Sequence, residues 1–250
     1  MKGLKCGIIN SIETPRIVIF DIETSPSLTW NWGYYEQTAL GTRQDWHILS
    51  FSFKWLGEKK ITTYALPDFK TYKRDKQNDK QLVKELWKVF NEAEILVAHN
   101  GNAFDIKKAN ARFLFHGLKP PTPFKTIDTL KVARRYFKFD SNKLDELARQ
   151  LKLGRKLPHT GKDLWFKCMN GDLKAWKLMK RYNEHDVRLL EALYLRLRPY
   201  LQNHPHYVGY KICHNCGSPR VIKRGFDRLV GFRKQRYQCQ NCGSFMREKE

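Results

Sequence analysis

The chain has 250 residues, long for one domain and short for two full ones, which points to one main domain with a small appendage. Lys and Arg total 47 against 25 Asp and Glu, a net charge of +22 that argues for a polyanionic partner, nucleic acid before an anionic membrane surface. At 41% hydrophobic and 13% aromatic residues the chain can build a core, which excludes a disordered basic tail, and no run approaches the ~18 apolar residues of a membrane helix.

The first ten residues carry a four-residue apolar patch at 6–9, too short for a secretory signal. The run Ile17-Val18-Ile19-Phe20 leads into Asp21 and reads as a strand buried on both faces. Strands over Ile48–Trp55 and 60–65 flank Gly57-Glu58 as a hairpin turn. Leu82, Val83, Leu86, Val89 and Phe90 then recur at helical spacing, with Asp79 placed to cap the helix. Ile95–Ala98 is a buried strand, 105–116 a helix, 124–126 a strand running into Ile127-Asp128, and 130–137 a helix. Leu144, Leu147, Ala148 and Leu151 give a short helix, and 173–198 the longest one. Three strands followed by alternating helix and strand predict an α/β domain whose mixed sheet is flanked by helices. Its first three strands form an antiparallel meander, and the later ones join in parallel through helical crossovers. Residues 199–206 read as a connector, which divides the chain into a large domain (1–200), a linker (201–207) and a small basic module (208–250). No internal repeat is expected.

Three segments carry chemistry. Asp21-Ile22-Glu23 ends the first strand, and residues two apart share a face, so both carboxylates project together. Two anions desolvated side by side repel unless a divalent cation offsets them, although a strand leaving into solvent is the bland alternative. His99-Asn100-Gly101-Asn102-Ala103-Phe104-Asp105 follows a strand and opens a helix, where α/β sheets bind ligands. Asp105 by itself equally suits the first turn of a helix. Tyr182 and Asp186 share a face of the long helix, and Val187, Leu189, Leu190 and Leu193 continue it as an apolar stripe, so Asp186 needs a partner.

Together, Phe20-Asp21-Ile22-Glu23-Thr24, Asn100-x-x-x-Phe104-Asp105 and Tyr182-x-x-x-Asp186 resemble the three motifs of the DEDD group of 3′→5′ exonucleases, in the ribonuclease H-like (DnaQ-like) superfamily. The resemblance covers roughly residues 14–200 and is nearest to family-B DNA polymerase proofreading domains and to YprB-like predicted nucleases often found in phages. Position 181, where the other subtype places His, is Arg, which makes this the tyrosine-containing (DEDDy) form. The resemblance implies a ribonuclease H-like fold and a metal-dependent 3′→5′ exonuclease using Asp21, Glu23, Asp105, Tyr182 and Asp186. It implies two Mg²⁺ or Mn²⁺ ions, with Asp21 bridging them, Glu23 and Asp186 on the ion that activates water, and Asp105 steadying the second through waters. Tyr182 would orient the attacking water. The implied partner is nucleic acid, DNA favoured, presented as single-stranded 3′ ends, with a polymerase or replication complex as a second partner and no membrane. Two alternatives stay open: a non-catalytic nucleic-acid-binding replication accessory protein, and a structure-selective endonuclease on the same fold.

Neighbouring residues read less sharply. Asp128 suits either the carboxylate cluster or a helix N-terminus, and His185, about 100° around the helix from Asp186, reads as a surface histidine. Lys156, His159 and Lys162 read as solvated charges of a loop unless they touch the scissile strand. Trp30, Trp32, Tyr34 and Tyr35 could stack unpaired bases, with half of them expected in the core.

Cys213-x-x-Cys216 and Cys239-x-x-Cys242 enclose 22 residues and predict one structural Zn²⁺, with two disulfides as the alternative. Each second cysteine precedes a glycine, which lets the chain turn over the metal. With Val221-Ile222 and Tyr237-Gln238 as short strands, the module resembles a zinc ribbon whose folding energy comes from the metal. Lys223, Arg224, Arg228, Arg233, Lys234 and Arg236 lie between the pairs and suit phosphates. The paired cysteines point to a reducing, cytoplasmic compartment, the host cytoplasm for a phage product. Cys6 and Cys168 read as lone thiols.

Overall fold

The apolar run that begins at Ile17 does form a strand, and it continues through the acidic motif: β1 spans Ile17–Thr24 with Asp21 and Glu23 inside it. The computed structural model describes residues 15–35, 38–201, 204, 212–229 and 232–247. Cys6 and most of the expected connector fall outside these, as does the side chain of Arg228. Two compact units are present, one at 16–197 and one within 198–250.

In the first unit β1 is central. It pairs antiparallel with β4 (Ile48–Trp55), which pairs antiparallel with β5 (Thr62–Ala65), giving the expected meander. On its other side β1 pairs parallel with β6 (Ile95–Ala98), and β6 parallel with β7 (Lys125–Asp128). The five-stranded order is β5-β4-β1-β6-β7. A second pair of strands, β2 (Leu28–Trp30) and β3 (Gly41–Gln44), forms a separate ribbon between β1 and β4 that the sequence did not announce.

The helices are α1 (Lys80–Glu92), α2 (Asp105–Phe115), α3 (Thr129–Tyr136), α4 (Leu144–Gln150), α5 (Lys162–Asn170) and α6 (Leu173–Leu197). Alternation along β1 sends its residues to opposite faces. On one, Phe20 meets Phe90 of α1 edge-on, and Phe90 in turn meets Phe113 of α2 and Phe124. On the other, Asp21 meets α6. That helix, about 37 Å long at 1.5 Å per residue, packs along β1, β4 and β5 through a stripe from Trp176 to Leu197.

Asp79 precedes α1 as expected but does not cap it with its side chain. Its buried carboxylate accepts from Arg112 Nε at 2.8 Å and Nη2 at 2.5 Å, from His116 Nε2 at 2.6 Å and from the Ile48 amide at 2.9 Å. A fully buried carboxylate needs a cation more than a helix end needs an acceptor, and the two-pronged Arg112 contact supplies one.

The second unit is a three-stranded antiparallel sheet, β10-β9-β8, made of β8 (Val221–Leu229), β9 (Phe232–Cys239) and β10 (Phe245–Arg247). Cys213, Cys239 and Met246 are its buried centre.

Candidate active site

β1 and β6 run parallel, so their carboxyl ends reach the same edge of the sheet, and an acidic motif lies at each. Asp21 and Glu23 project from one face of β1, and Asp186 reaches the same place from α6. One carboxylate oxygen from each of the three lies within 4.8 Å of the others, close enough to share an ion. Asp105, the first residue of α2, stands just outside this trio. Its Oδ1 accepts the Ile22 amide at 3.3 Å, between the two acids of β1. The turn that delivers it is tight: Asn100 has φ 64°, and a Cβ at Gly101 would meet the Ala98 Cβ at 2.4 Å, so only glycine fits.

A buried relay underlies the trio. Asn183 donates from Nδ2 to Asp21 Oδ2 at 2.6 Å, while its Oδ1 accepts from the Ser52 and Ser50 hydroxyls at 3.0 and 3.3 Å. The β1–β4 register sets Ser52 opposite Asp21 and Ser50 opposite Glu23, which is why both hydroxyls arrive here. With Oδ1 taken by donors, the amide N–H is turned toward the carboxylate. Across the cleft, Lys156 Nζ donates to Asp186 Oδ2 at 2.5 Å and to the Tyr182 hydroxyl at 3.0 Å. His159 and Trp165 stand edge-on to the Tyr182 ring, with centroids at 4.8 and 6.0 Å. Lys156 is thus a partner of the site, not the solvated loop charge expected; Asp186 needed a cation, and the fold supplies one from 30 residues upstream.

The family model described as RNase_H superfamily matches residues 18–198. The chain belongs to the RNase H superfamily. No curated protein matches it. Among solved structures it is similar to the family B DNA polymerase from the hyperthermophilic archaeon Pyrobaculum calidifontis, with a TM-score of 0.53 at 16% identity. The match covers 74% of this chain and 25% of the polymerase, so the chain spans about a quarter of that protein. At this identity the likeness is one of fold.

The electrostatics of this RNase H superfamily site favour a bound cation. Burial, reinforced by the neighbouring acids, holds Asp21 well above the usual carboxylate range and Glu23 at about 8. Burial also raises Asp105 to about 7 against the stabilising Ile22 amide, and raises Asp186 against the pull of Lys156. Burial disfavours the Lys156 ammonium, but Asp186 and Tyr182 outweigh it and keep the group charged. Burial and the Asp186 charge push the Tyr182 phenol up, so it stays a neutral donor near pH 7. Asp186 Oδ1 is buried without a hydrogen-bond partner. A crowded all-oxygen donor set with one orphaned oxygen fits a hard divalent cation such as Mg²⁺ or Mn²⁺.

A pH dependence follows for the metal-free protein. Glu23 ordinarily titrates at 4.5 but in the fold holds its proton to about 8, so the folded state binds more protons between those values. Metal-free stability should therefore fall as pH rises through this window, and stabilisation by Mn²⁺, which displaces the protons, should grow. Thermal melts with Mn²⁺ and with chelator, from about pH 5 to about pH 8, measure this. A Mn²⁺ effect independent of pH would count against a shared carboxylate site.

The remaining residues sort themselves. Asp128 caps α3, accepting the Leu130 amide at 3.1 Å, and pins the motif turn through the Asn100 and Asn102 amides at 2.9 and 3.3 Å. His185 is only partly exposed and hydrogen-bonds the Arg155 carbonyl at 2.7 Å. Lys162 begins α5, a helix where a loop is expected from the sequence. Trp30, Trp32, Tyr34 and Tyr35 are all exposed, where half were expected in the core, because their ribbon is not part of the five-stranded sheet.

The four cysteine Sγ atoms form a second cluster, all within 4.8 Å. Cys213–Cys242 and Cys216–Cys239 are each 3.6 Å apart, far beyond a disulfide and near the roughly 3.8 Å edge of a ZnS₄ tetrahedron. Gly217 and Gly243 take φ 70° and 74°, as expected. Burial pushes the Cys213 thiol up, whereas around Cys239 the Asn241 and Cys242 amides outweigh burial and hold it at about 7. An internal repeat does exist, against expectation: Cys-x-Asn-Cys-Gly-Ser recurs at 213–218 and 239–244. Its asparagines reach across, Asn215 Nδ2 to Cys242 Sγ at 3.3 Å and Asn241 Nδ2 to Cys216 Sγ at 3.6 Å. This all-thiolate donor set fits one Zn²⁺. Of the basic residues nearby, Lys223, Arg224 and Arg233 are exposed, while Lys234 and Arg236 are half-buried, and Arg236 lies 4.0 Å from Asp227.

Proposed function

We propose that the chain is a metal-dependent 3′→5′ exonuclease of the DEDDy type, hydrolysing phosphodiester bonds of nucleic acid, single-stranded DNA ends first. The observation that carries this reading is the convergence of Asp21, Glu23 and Asp186 within 4.8 Å, with the Lys156–Tyr182 pair against Asp186. Asp21, Glu23 and Asp186 would hold the divalent ions, and Asp105 would support the second from its seat on the Ile22 amide. Two such ions, when bound, supply an activated water and charge balance on the phosphoryl group and departing 3′-oxygen. The chain's own part is positional. Asn183 fixes the rotamer of Asp21 before substrate arrives, and the neutral Tyr182 hydroxyl orients the nucleophile rather than taking its proton. Lys156 opposes the upward pull of burial on Asp186 and would add positive charge where the scissile phosphate sits. Residues 1–200 form the catalytic domain in this reading, 201–207 a connector, and 208–250 a zinc ribbon that helps hold the strand.

Single-stranded DNA, RNA and duplexes labelled at the 5′ end and incubated with Mg²⁺ or Mn²⁺ test the assignment. Ladders shortening from the 3′ end are expected; internal cuts would make the protein an endonuclease, and no cleavage with either ion would overturn the reading. Tyr182→Phe, which keeps the ring and loses only the hydroxyl, should lower kcat by about 10²-fold or less. A loss as large as that of Asp186→Asn would assign Tyr182 to proton transfer instead.

A further inference from the structure

We propose that the β2–β3 ribbon is a stacking platform for the unpaired strand leading to the carboxylate cleft, an inference that rests on the nuclease reading above. Trp30 and Trp32 are 57% and 83% exposed, and Tyr34 and Tyr35 almost completely so. Four large aromatic side chains in six residues, all in water, mark an interaction surface and not a stray exposed residue.

The ribbon is rooted at the candidate site. Ser25, two strand residues and so about 7 Å past Glu23, is buried and clasped to His47. Its amide donates to the His47 carbonyl at 2.9 Å, its hydroxyl accepts the His47 amide at 3.0 Å, and the hydroxyl meets the imidazole at 3.1 Å. Both feet of the ribbon are thus fixed to the edge of the sheet that carries the acids. Cations alternate with rings along the way. Arg43 of β3 lies 5.8 Å from the Trp30 ring centroid. Lys108 sits 3.6 Å from the Trp46 ring, at the ribbon's foot, and 5.7 Å from that of Phe104, the neighbour of Asp105.

That alternation identifies the occupant. Unpaired bases offer flat faces to aromatic rings, and the phosphates between them meet cations, whereas a duplex hides its base faces. The net charge of +22 selects a polyanion over an apolar protein surface.

Binding of fluorescent oligo-dT of about 20 nucleotides, read by anisotropy in excess EDTA so that no cleavage intervenes, tests the platform. Replacing Trp30, Trp32, Tyr34 and Tyr35 together by Ala should raise Kd at least about 10-fold. The salt dependence of Kd should stay the same, because no phosphate contact is removed. A matching abasic strand should bind wild type and variant alike, and restoring Trp32 as Phe should recover part of the affinity. Equal affinity of variant and wild type for oligo-dT would overturn the proposal and leave the patch to a protein partner. An equal loss on the abasic strand would overturn it too, since the rings would not be reading bases. Base-dependent binding in a protein that cleaves nothing would uphold the platform while removing the nuclease reading.

Discussion

Asp21→Asn is expected to lower cleavage about 10³-fold or more while the fold survives, a loss of roughly 4 kcal/mol of transition-state stabilisation. Asp21 feels every other acid of the site: after burial itself, Glu23, Asp105 and Asp186 all raise its proton affinity. A neutral isostere removes one anion from that crowd, and its Oδ1 can still accept from Asn183 Nδ2. The metal-free variant should therefore melt higher than the wild type, and the stabilisation by Mn²⁺ should shrink. Single-turnover rates with Mg²⁺ and melting curves in chelator read both effects. Wild-type-like turnover would sink the two-metal assignment. A variant that is inactive and also less stable without metal would show Asp21 to be a structural anchor of β1.

The other large effect concerns the cysteines. With Zn²⁺ held by the four thiolates, as proposed, stripping it with a strong chelator, or Cys213→Ser, should unfold residues 212–247 and leave 16–197 folded. Among the described residues, the module's centre beyond Cys213, Cys239 and Met246 holds only Val221, Tyr237 and Cys242, partly buried. That is too little apolar area to hold three strands, and metal-coupled folding of such modules is worth about 10–16 kcal/mol. Hydrogen exchange should lose protection across 212–247 alone. Cleavage of short oligonucleotides at saturation should persist. The salt slope of binding should flatten by about 2 if the exposed Lys223, Arg224 and Arg233 each meet a phosphate, at about 0.7 per contact on single strands. An unchanged slope would assign those cations to something other than nucleic acid.

What the sequence disclosed was whatever is local. β4 and β6 fall where their sequences predict, since alternating Ser and Phe in the one and a short apolar run in the other, each bounded by polar or turn residues, have few other fates. Asp21, Glu23, Asp105, Tyr182 and Asp186 were legible because short motifs sit at strand ends and on one helix face. The ribbon was not, because Leu28–Trp30 and Gly41–Gln44 are too short to show a period and bury nothing. Helix α5 was hidden for a similar reason: it buries only Leu164 and Cys168 and follows a stretch with Pro158 and Gly161. Lys156, Asn183, Ser50 and Ser52 carry no local signal at all. Asn183, Ser50 and Ser52 matter because the β1–β4 register and the lie of α6 bring together residues more than a hundred positions apart, and Lys156 because the loop before α5 folds back on α6, 30 residues on; pattern reading has access to neither. Asp79 shows the same limit: it is the residue before α1, as its position predicts, but its carboxylate is claimed by an arginine 33 residues on.

The twofold Cys-x-Asn-Cys-Gly-Ser unit separates two duties along the chain. Each copy closes its own turn with the same bonds, Gly217 N to Cys213 O at 2.8 Å and Gly243 N to Cys239 O at 2.9 Å, and lends one asparagine to the thiolate opposite. Every thiolate and asparagine that would cage a Zn²⁺ ion therefore resides in twelve residues, and little of the β8–β9 hairpin between them is committed to that task. Such a hairpin can be lengthened, shortened or recharged over evolutionary time without disturbing the cage, much as a tool head is changed on a fixed handle. Relatives should accordingly differ most between 222 and 236, and a grafted hairpin of other charge should fold here.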